Sequence, residues 1–339
     1  MIYDVSGNSI NSAYETDGLP LTEAFDIDGT QVFDESYDIE NVVSYYREDV
    51  LDVADEIDAL TNAWISFVII TDSHGNANKQ HSQAIAAYLV RNTKANKLFH
   101  LGDVSANNWS ETEYSTYFAP LIENCQKHTY FACGNHEWYG GGVTWDTLQI
   151  IYNNFLTNKS YLHGTPNHFY YYFDDTAKKI RYLVINTSDG SHNGATQAQM
   201  DWIASSVQLP DSTWKLIVFG HMDINPNDPI THSWESSQAS AFTNAISGTN
   251  GMIIGYFCGH EHHDRIVKVN DTFYQVILLN DSCAKDTSFP EIINPDRTAG
   301  TTSEQAVSVI SINTTTGAVV IRRIGAGQNL SYNYLGGTS

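Results

Sequence analysis

Five short blocks of this sequence carry residues that can bind metal ions. They are Asp72-Ser73-His74, Gly102-Asp103, Gly134-Asn135-His136-Glu137, Gly220-His221 and Gly259-His260-Glu261-His262. Each follows directly on an apolar run: Ile69-Ile70, Phe99-His100-Leu101, Phe131-Ala132-Cys133, Val218-Phe219 and Phe257-Cys258. Asp72, His74, Asp103, Asn135, His221, His260 and His262 together supply imidazole nitrogens, carboxylate oxygens and one amide oxygen. One zinc takes four ligands, so this larger set suits two divalent ions sharing a bridging carboxylate. Four of the five blocks also contain a glycine, which lets the backbone turn sharply and come close to an ion.

The elements that must position these blocks follow from hydrophobic pattern. Apolar runs of strand length cover Trp64–Ile70, Lys97–Leu101, Thr129–Cys133, Phe169–Phe173, Ile180–Ile185, Trp214–Phe219 and Met252–Cys258. Helical spacing covers Asn41–Leu60, His81–Arg91, Glu111–Ile122, Trp145–Phe155, Thr196–Val207 and Ser236–Ile246. This alternation predicts an α/β protein with strands buried on both faces. Ligands of open α/β sheets bind at the carboxyl ends of strands. Were the five block-bearing strands parallel and adjacent, all five tips would meet at one edge. After about residue 265 the helices stop. Arg265–Val269, Thr272–Leu279, Ala306–Ile312 and Ala318–Ile324 read as antiparallel strands, with a hairpin turn at Thr316-Gly317.

The ordered series resembles the calcineurin-like metallophosphoesterases over roughly residues 64–263. Their pattern runs Asp-x-His, Gly-Asp, Gly-Asn-His-Asp/Glu, Gly-His, Gly-His-x-His, and all five blocks occur here in that order. The resemblance implies a four-layer αββα sandwich of two mixed sheets flanked by helices, with the strands after residue 265 extending the second sheet. It implies that Asp72, His74 and His262 bind a first ion, that Asn135, His221 and His260 bind a second, and that Asp103 bridges them. It implies that His136 binds no metal but faces the substrate, stabilises phosphoryl charge and protonates the leaving oxygen. The reaction implied is hydrolysis of phosphomonoesters or phosphodiesters. Ions roughly 3.5–4 Å apart share a water and lower its pKa, and the hydroxide attacks phosphorus in line. Manganese, iron and zinc all suit such mixed nitrogen and oxygen sites.

Departures from relatives narrow the reading. Val104-Ser105-Ala106 follows Gly-Asp where purple acid phosphatases place a tyrosine ligand, and the first block ends in His74. Asn107-Asn108 stands where protein phosphatases carry a basic Gly-Asp-x-x-Asp-Arg segment, and Met222-Asp223 lacks a proline common after the Gly-His block. Asn107, Trp138 and Tyr139 follow ligand blocks directly and are placed to line a substrate pocket. His192, in a polar loop after a strand, is a further candidate for substrate contact. Glu137 reads either as orienting His136 or a water, or as a solvated carboxylate.

Composition bounds the partners. The chain has 39 acidic and 17 basic residues among 339, a formal net charge of −22. That disfavours nucleic acid and anionic lipid, which need a cationic surface, and so argues against a nuclease. It would also repel a small phosphate-ester substrate unless bound cations reverse the local field. No apolar run is long enough to span a membrane. Met1-Ile2-Tyr3-Asp4 shows no secretory signal, so a cytoplasmic location is expected, with association with a virion or another export route as the alternative. The four cysteines show no paired short spacing and read as small buried residues.

Residues 1–60 read as an N-terminal appendage, and 61–339 as the metallophosphoesterase domain. Tyr3-Asp4-Val5-Ser6-Gly7 and Phe25-Asp26-Ile27-Asp28-Gly29 suggest short hairpins in an appendage that docks on a partner or stays mobile. This repeated start motivates a second reading, a structural or binding component of a phage-like particle that retains the phosphoesterase fold. Nothing in the sequence specifies an oligomeric state.

Overall fold

The computed structural model describes residues 2–3, 9–10, 37–74, 78–104, 116–117, 119–125, 128–137, 159, 161–189, 195–225, 236–281 and 295–336. Met1–Ser36 and Tyr37–Ser339 are separate compact units. In the first, strand β1 (Ile2–Tyr3) pairs antiparallel with β2 (Ser9–Ile10).

In the second unit the described elements alternate as the hydrophobic pattern predicts. Helix α1 (Arg47–Asp58) leads to β3 (Trp64–Ile70), α2 (Lys79–Asn92), β4 (Leu98–His100), α3 (Ala119–Asn124) and β5 (Thr129–Phe131). Then come β6 (His163–Thr165), β7 (Tyr170–Asp175), β8 (Ile180–Val184), α4 (Gln197–Ser206), β9 (Lys215–Phe219), α5 (Ser236–Ser247) and β10 (Met252–Cys258). Strands β11 (Arg265–Val269), β12 (Phe273–Ile277), β13 (Ala306–Asn313), β14 (Ala318–Gly325) and β15 (Leu330–Asn333) complete the unit. The helix expected at Trp145–Phe155 and half of that at Glu111–Ile122 lie outside the described residues.

These strands form two mixed sheets. One runs β15-β14-β13-β3-β4-β5 and the other β11-β12-β10-β9-β8-β7-β6. Strands β3, β4 and β5 are mutually parallel, as are β8, β9, β10 and β12. The five block-bearing strands are therefore not all adjacent. Three lie in the first sheet and two in the second, and their carboxyl ends face each other across the sandwich. The C-terminal strands also divide differently from the expectation. Strands β11 and β12 join the second sheet, whereas β13 inserts beside β3 and β13–β15 complete the first. The reason lies in β13 itself. Ile310 and Ile312 bury one face against the inter-sheet core, and Val307 and Val309 bury the other against the helices, so this strand suits only a central position.

Alternation along β3 shows how the layers form. Phe67 and Ile69 enter the core between the sheets, and Val68 and Ile70 enter the layer beneath α1 and α2. Val42, Tyr46, Val50, Val53 and Ile57 belong to that same outer layer. Helix α1, which lies within residues 1–60, contributes Val50, Val53 and Ile57 to this layer. On the far side, Ile203 of α4 and Phe242 and Ile246 of α5 cover Leu183, Leu216 and Val218 of the second sheet. The result is a four-layer αββα sandwich. Among the described residues, no helix is long and apolar enough to cross a membrane.

Aromatic rings hold the sheets together. Phe67 meets Phe99, Phe219 and Phe257 edge-on, with centroids 5.3, 5.6 and 5.9 Å away. Phe67→Ala should therefore destabilise the fold by about 3–5 kcal/mol, read as a lower denaturant midpoint with an unchanged slope.

Candidate metal centre

The chain leaves each of the five strand tips through a tight turn, and the turns press on each other. A Cβ on Gly134 would lie 2.1 Å from Asp103 Oδ1, and one on Gly259 would lie 2.2 Å from Asp72 Oδ2. Both glycines are thus fixed by contact with the candidate ligands. Asp72, Asp103, His260 and His262 adopt φ values of 53°, 53°, 67° and 54°. Such left-handed backbone at non-glycine residues costs of order 1–3 kcal/mol each and persists where the surroundings enforce it.

Each carboxylate ties one oxygen to the protein and turns the other inward. Asp72 Oδ2 accepts the Thr71 hydroxyl at 2.6 Å and the His260 backbone N–H at 2.9 Å. Its Oδ1 lies 3.3 Å from His262 Nε2 and 4.0 Å from His221 Nε2. Asp103 Oδ1 accepts the His136 backbone N–H at 2.8 Å. Its Oδ2 lies 3.1 Å from His221 Nε2 and 3.9 Å from the Nε2 atoms of both His74 and His136. Asn135 Oδ1 is 2.9 Å from His221 Nε2, and the Nε2 atoms of His74 and His262 are 3.1 Å apart.

Three overlapping groups of donors result: Asp72, His74 and His262; His74, Asp103 and His136; Asp103, His221 and His260. Within each, one donor atom per residue lies within 4.8 Å of the others. The groups share Asp103 and His74. Asn135 joins the third group through His221.

The electrostatics favour cations here. Asp72 and Asp103 are fully buried, and although burial opposes their charge, the neighbouring His221 holds both carboxyls well below the usual range. His221 responds in kind. Burial disfavours its charge, but Asp103 and Asp72 push it up to about 9. Burial instead holds His74 and His260 down at about 4, which leaves them neutral and able to donate a lone pair. Two buried anions, the neutral imidazoles of His74 and His260 and an amide oxygen fit divalent cations, whose charge would offset the buried negative charge and displace the proton that the carboxylates hold on His221.

His136, expected to face substrate, stacks on His74 with centroids 4.4 Å apart and an interplanar angle of 20°. Its side chain is 24% exposed. It therefore lies at the mouth of the cluster, within reach of both Asp103 and solvent. His192, Asn107, Trp138 and Tyr139 lie outside the described residues.

The family model for the calcineurin-like phosphoesterases matches residues 65–264, more than half of the chain. The chain belongs to the calcineurin-like phosphoesterase family. Among curated proteins, none matches it. A solved dimetal phosphatase from Danio rerio is similar at 12% identity, with 80% of this chain and 99% of that one covered and a TM-score of 0.56. A phosphatase from Mycoplasma pneumoniae has 12% identity, coverage of 81% and 97%, and a TM-score of 0.42. A 5'-nucleotidase from Candida albicans has 17% identity, coverage of 74% and 48%, and a TM-score of 0.41. At these identities the Danio rerio likeness shows the shared fold.

Two features of this family member were misread or missed in the sequence. Glu137 is neither solvated nor directed at His136. It is fully buried and accepts backbone N–H groups from Asp103 at 3.0 Å, Val104 at 2.8 Å and Gly134 at 2.6 Å. One carboxylate thus pins the Gly-Asp turn to the Gly-Asn turn. Tight turns leave backbone donors without sheet partners, and a carboxylate beside two glycine turns was the available signal. The second is Asp281, past β12, which accepts the Ser82 hydroxyl at 2.5 Å and the Ser73 hydroxyl at 3.0 Å.

Two predictions follow from these contacts. Gly134→Ala forces a methyl into Asp103 and should lower manganese uptake at least about tenfold in equilibrium dialysis, as loss of ligand support does. Burial raises the Asp281 carboxyl from 3.8 to about 7, against the opposing hydroxyl bonds. Its folded value exceeds the unfolded one, so this stabilisation is complete below 3.8 and is lost as pH rises through about 7. Thermal melts from about pH 5 to 8 should show native protein losing stability relative to Asp281→Asn.

Proposed function

We propose that this protein hydrolyses phosphate esters, monoesters or diesters, at a centre of two divalent ions. Asp72, His74 and His262 would hold one, Asn135, His221 and His260 the other, with Asp103 shared. The observation that carries this reading is Asp103 Oδ2, which faces donors of both groups while Oδ1 is tied to the backbone. When bound, such ions supply Lewis-acid chemistry, acidifying water and neutralising phosphoryl charge.

The chain's own residues account for the remaining requirements. The buried carboxylates and the stacked His74 and His136 rings define a rigid floor against which a phosphoryl group is oriented. His136, at the mouth of the cluster, holds the proton that the leaving oxygen takes up, on the side open to solvent. Water attacks phosphorus in line with that oxygen, and no covalent bond between protein and phosphorus is needed. The acidic surface selects small substrates with one phosphoryl group to place at the centre over long polyanions.

Purified protein supplied with manganese, zinc or iron should hydrolyse p-nitrophenyl phosphate or its bis ester, and chelation should stop it. His136→Ala should retain manganese and lose about 10²–10⁴-fold in rate. Absence of turnover with every metal contradicts the proposal, and full activity in His136→Ala contradicts the role of His136.

A further inference from the structure

His100 is an imidazole that the ligand set does not use. It ends β4 between Phe99 and Leu101 and is 2% exposed. A polar ring at that depth must satisfy both nitrogens. The Gly102 backbone N–H donates to His100 Nδ1 at 3.2 Å. Nδ1 therefore carries the lone pair. Burial pushes the imidazole down to about 3, so the ring is neutral and its one proton sits on Nε2.

From Nε2 the contacts run in one direction. His100 Nε2 lies 3.1 Å from Ser73 Oγ and donates to it, and the Ser73 hydroxyl donates to Asp281 Oδ2 at 3.0 Å. The backbone N–H of Asp281 donates to Thr71 O at 2.7 Å, which fixes Asp281 against the same turn. The chain of contacts starts at the turn carrying Asp103, crosses the turn carrying Asp72 and His74, and ends at Asp281, in the segment that follows β12 of the other sheet. Both turns hold an aspartate at a φ of 53°, a conformation that only enforced surroundings maintain.

We propose that His100 is a positioning residue: as the Nε2–H tautomer it couples the Asp103 turn to the Asp72-Ser73-His74 turn through Ser73 and Asp281, and so sets the spacing between the two halves of the centre. This inference rests on the ligand assignment proposed above. The bonds themselves belong to the chain alone, so they can be tested with and without metal.

The experiment compares native protein with His100→Leu, His100→Asn and Ser73→Ala. It reads manganese affinity by titration and, in metal-free protein, hydrogen exchange at the Gly102 amide. His100→Leu should bind manganese about 10–100-fold more weakly, the usual effect of removing a partner that orients a ligand. Its Gly102 amide should exchange at least about tenfold faster, since the bond that protects it is gone. In His100→Asn the amide oxygen stands in for Nδ1. That variant should restore Gly102 protection without restoring full affinity, because the link to Ser73 is missing. Ser73→Ala cuts the same chain without emptying the space of a ring, and it keeps the test decisive if His100→Leu fails to fold. It should weaken manganese binding in the same direction. Native affinity in both His100→Leu and Ser73→Ala overturns the proposal. If native protein takes up no manganese, the ligand assignment falls instead. The coupling is then judged on exchange, and unchanged Gly102 exchange in His100→Leu overturns it.

Discussion

Two buried carboxylates, Asp72 and Asp103, sit in one cluster of histidines, and the rest of the structure is arranged around keeping them there. Desolvating an ion costs several kcal/mol even after relaxation, and like charges in one site add to that cost. The protein answers at short range. The Thr71 hydroxyl and the His260 amide satisfy one oxygen of Asp72, and the His136 amide satisfies one oxygen of Asp103. His221 answers the remaining charge from between them. Each backbone donor comes from another ligand block, so the blocks fix each other's positions. Loss of one contact would release the next.

The sandwich exists to bring these blocks within bonding distance. Two sheets packed through Phe67, Phe99, Phe219 and Phe257 place the tips of β3, β4 and β5 opposite those of β9 and β10. An open single sheet would spread five tips along one edge. Two facing sheets close them into a ring. The glycines then set how near the turns come, because Gly134 touches Asp103 and Gly259 touches Asp72 at distances no side chain allows. Beneath the ring, Glu137 ties two of the turns together through three backbone donors, and Asp281 ties a third to the opposite sheet.

Much of this was legible in the sequence. The histidine- and aspartate-bearing blocks stand out because each ends a strand-length apolar run, and β3 and β10 match their expected bounds, Trp64–Ile70 and Met252–Cys258. Helix α4, with Thr196 as its N-cap, falls within the expected Thr196–Val207. What the sequence could not convey was partition between sheets. A strand apolar on both faces, such as β13, reads the same whether it sits beside β3 or beside β10, and only the packing of Val307 and Ile310 on opposite faces decides. The structural carboxylates were also hidden. Glu137 and Asp281 serve backbone amides and hydroxyls that become neighbours only on folding, and no spacing rule links residue 281 to residue 73.

The central claim is that sequence-distant donors gather around two ions with Asp103 between them. Diffraction from manganese-soaked crystals, with anomalous differences recorded at the manganese edge, tests it most directly. The account predicts two peaks, one among Asp72, His74 and His262 and one among Asn135, His221 and His260, both in contact with Asp103. A map with no peak at these residues, or with Asp103 touching neither ion, would contradict it.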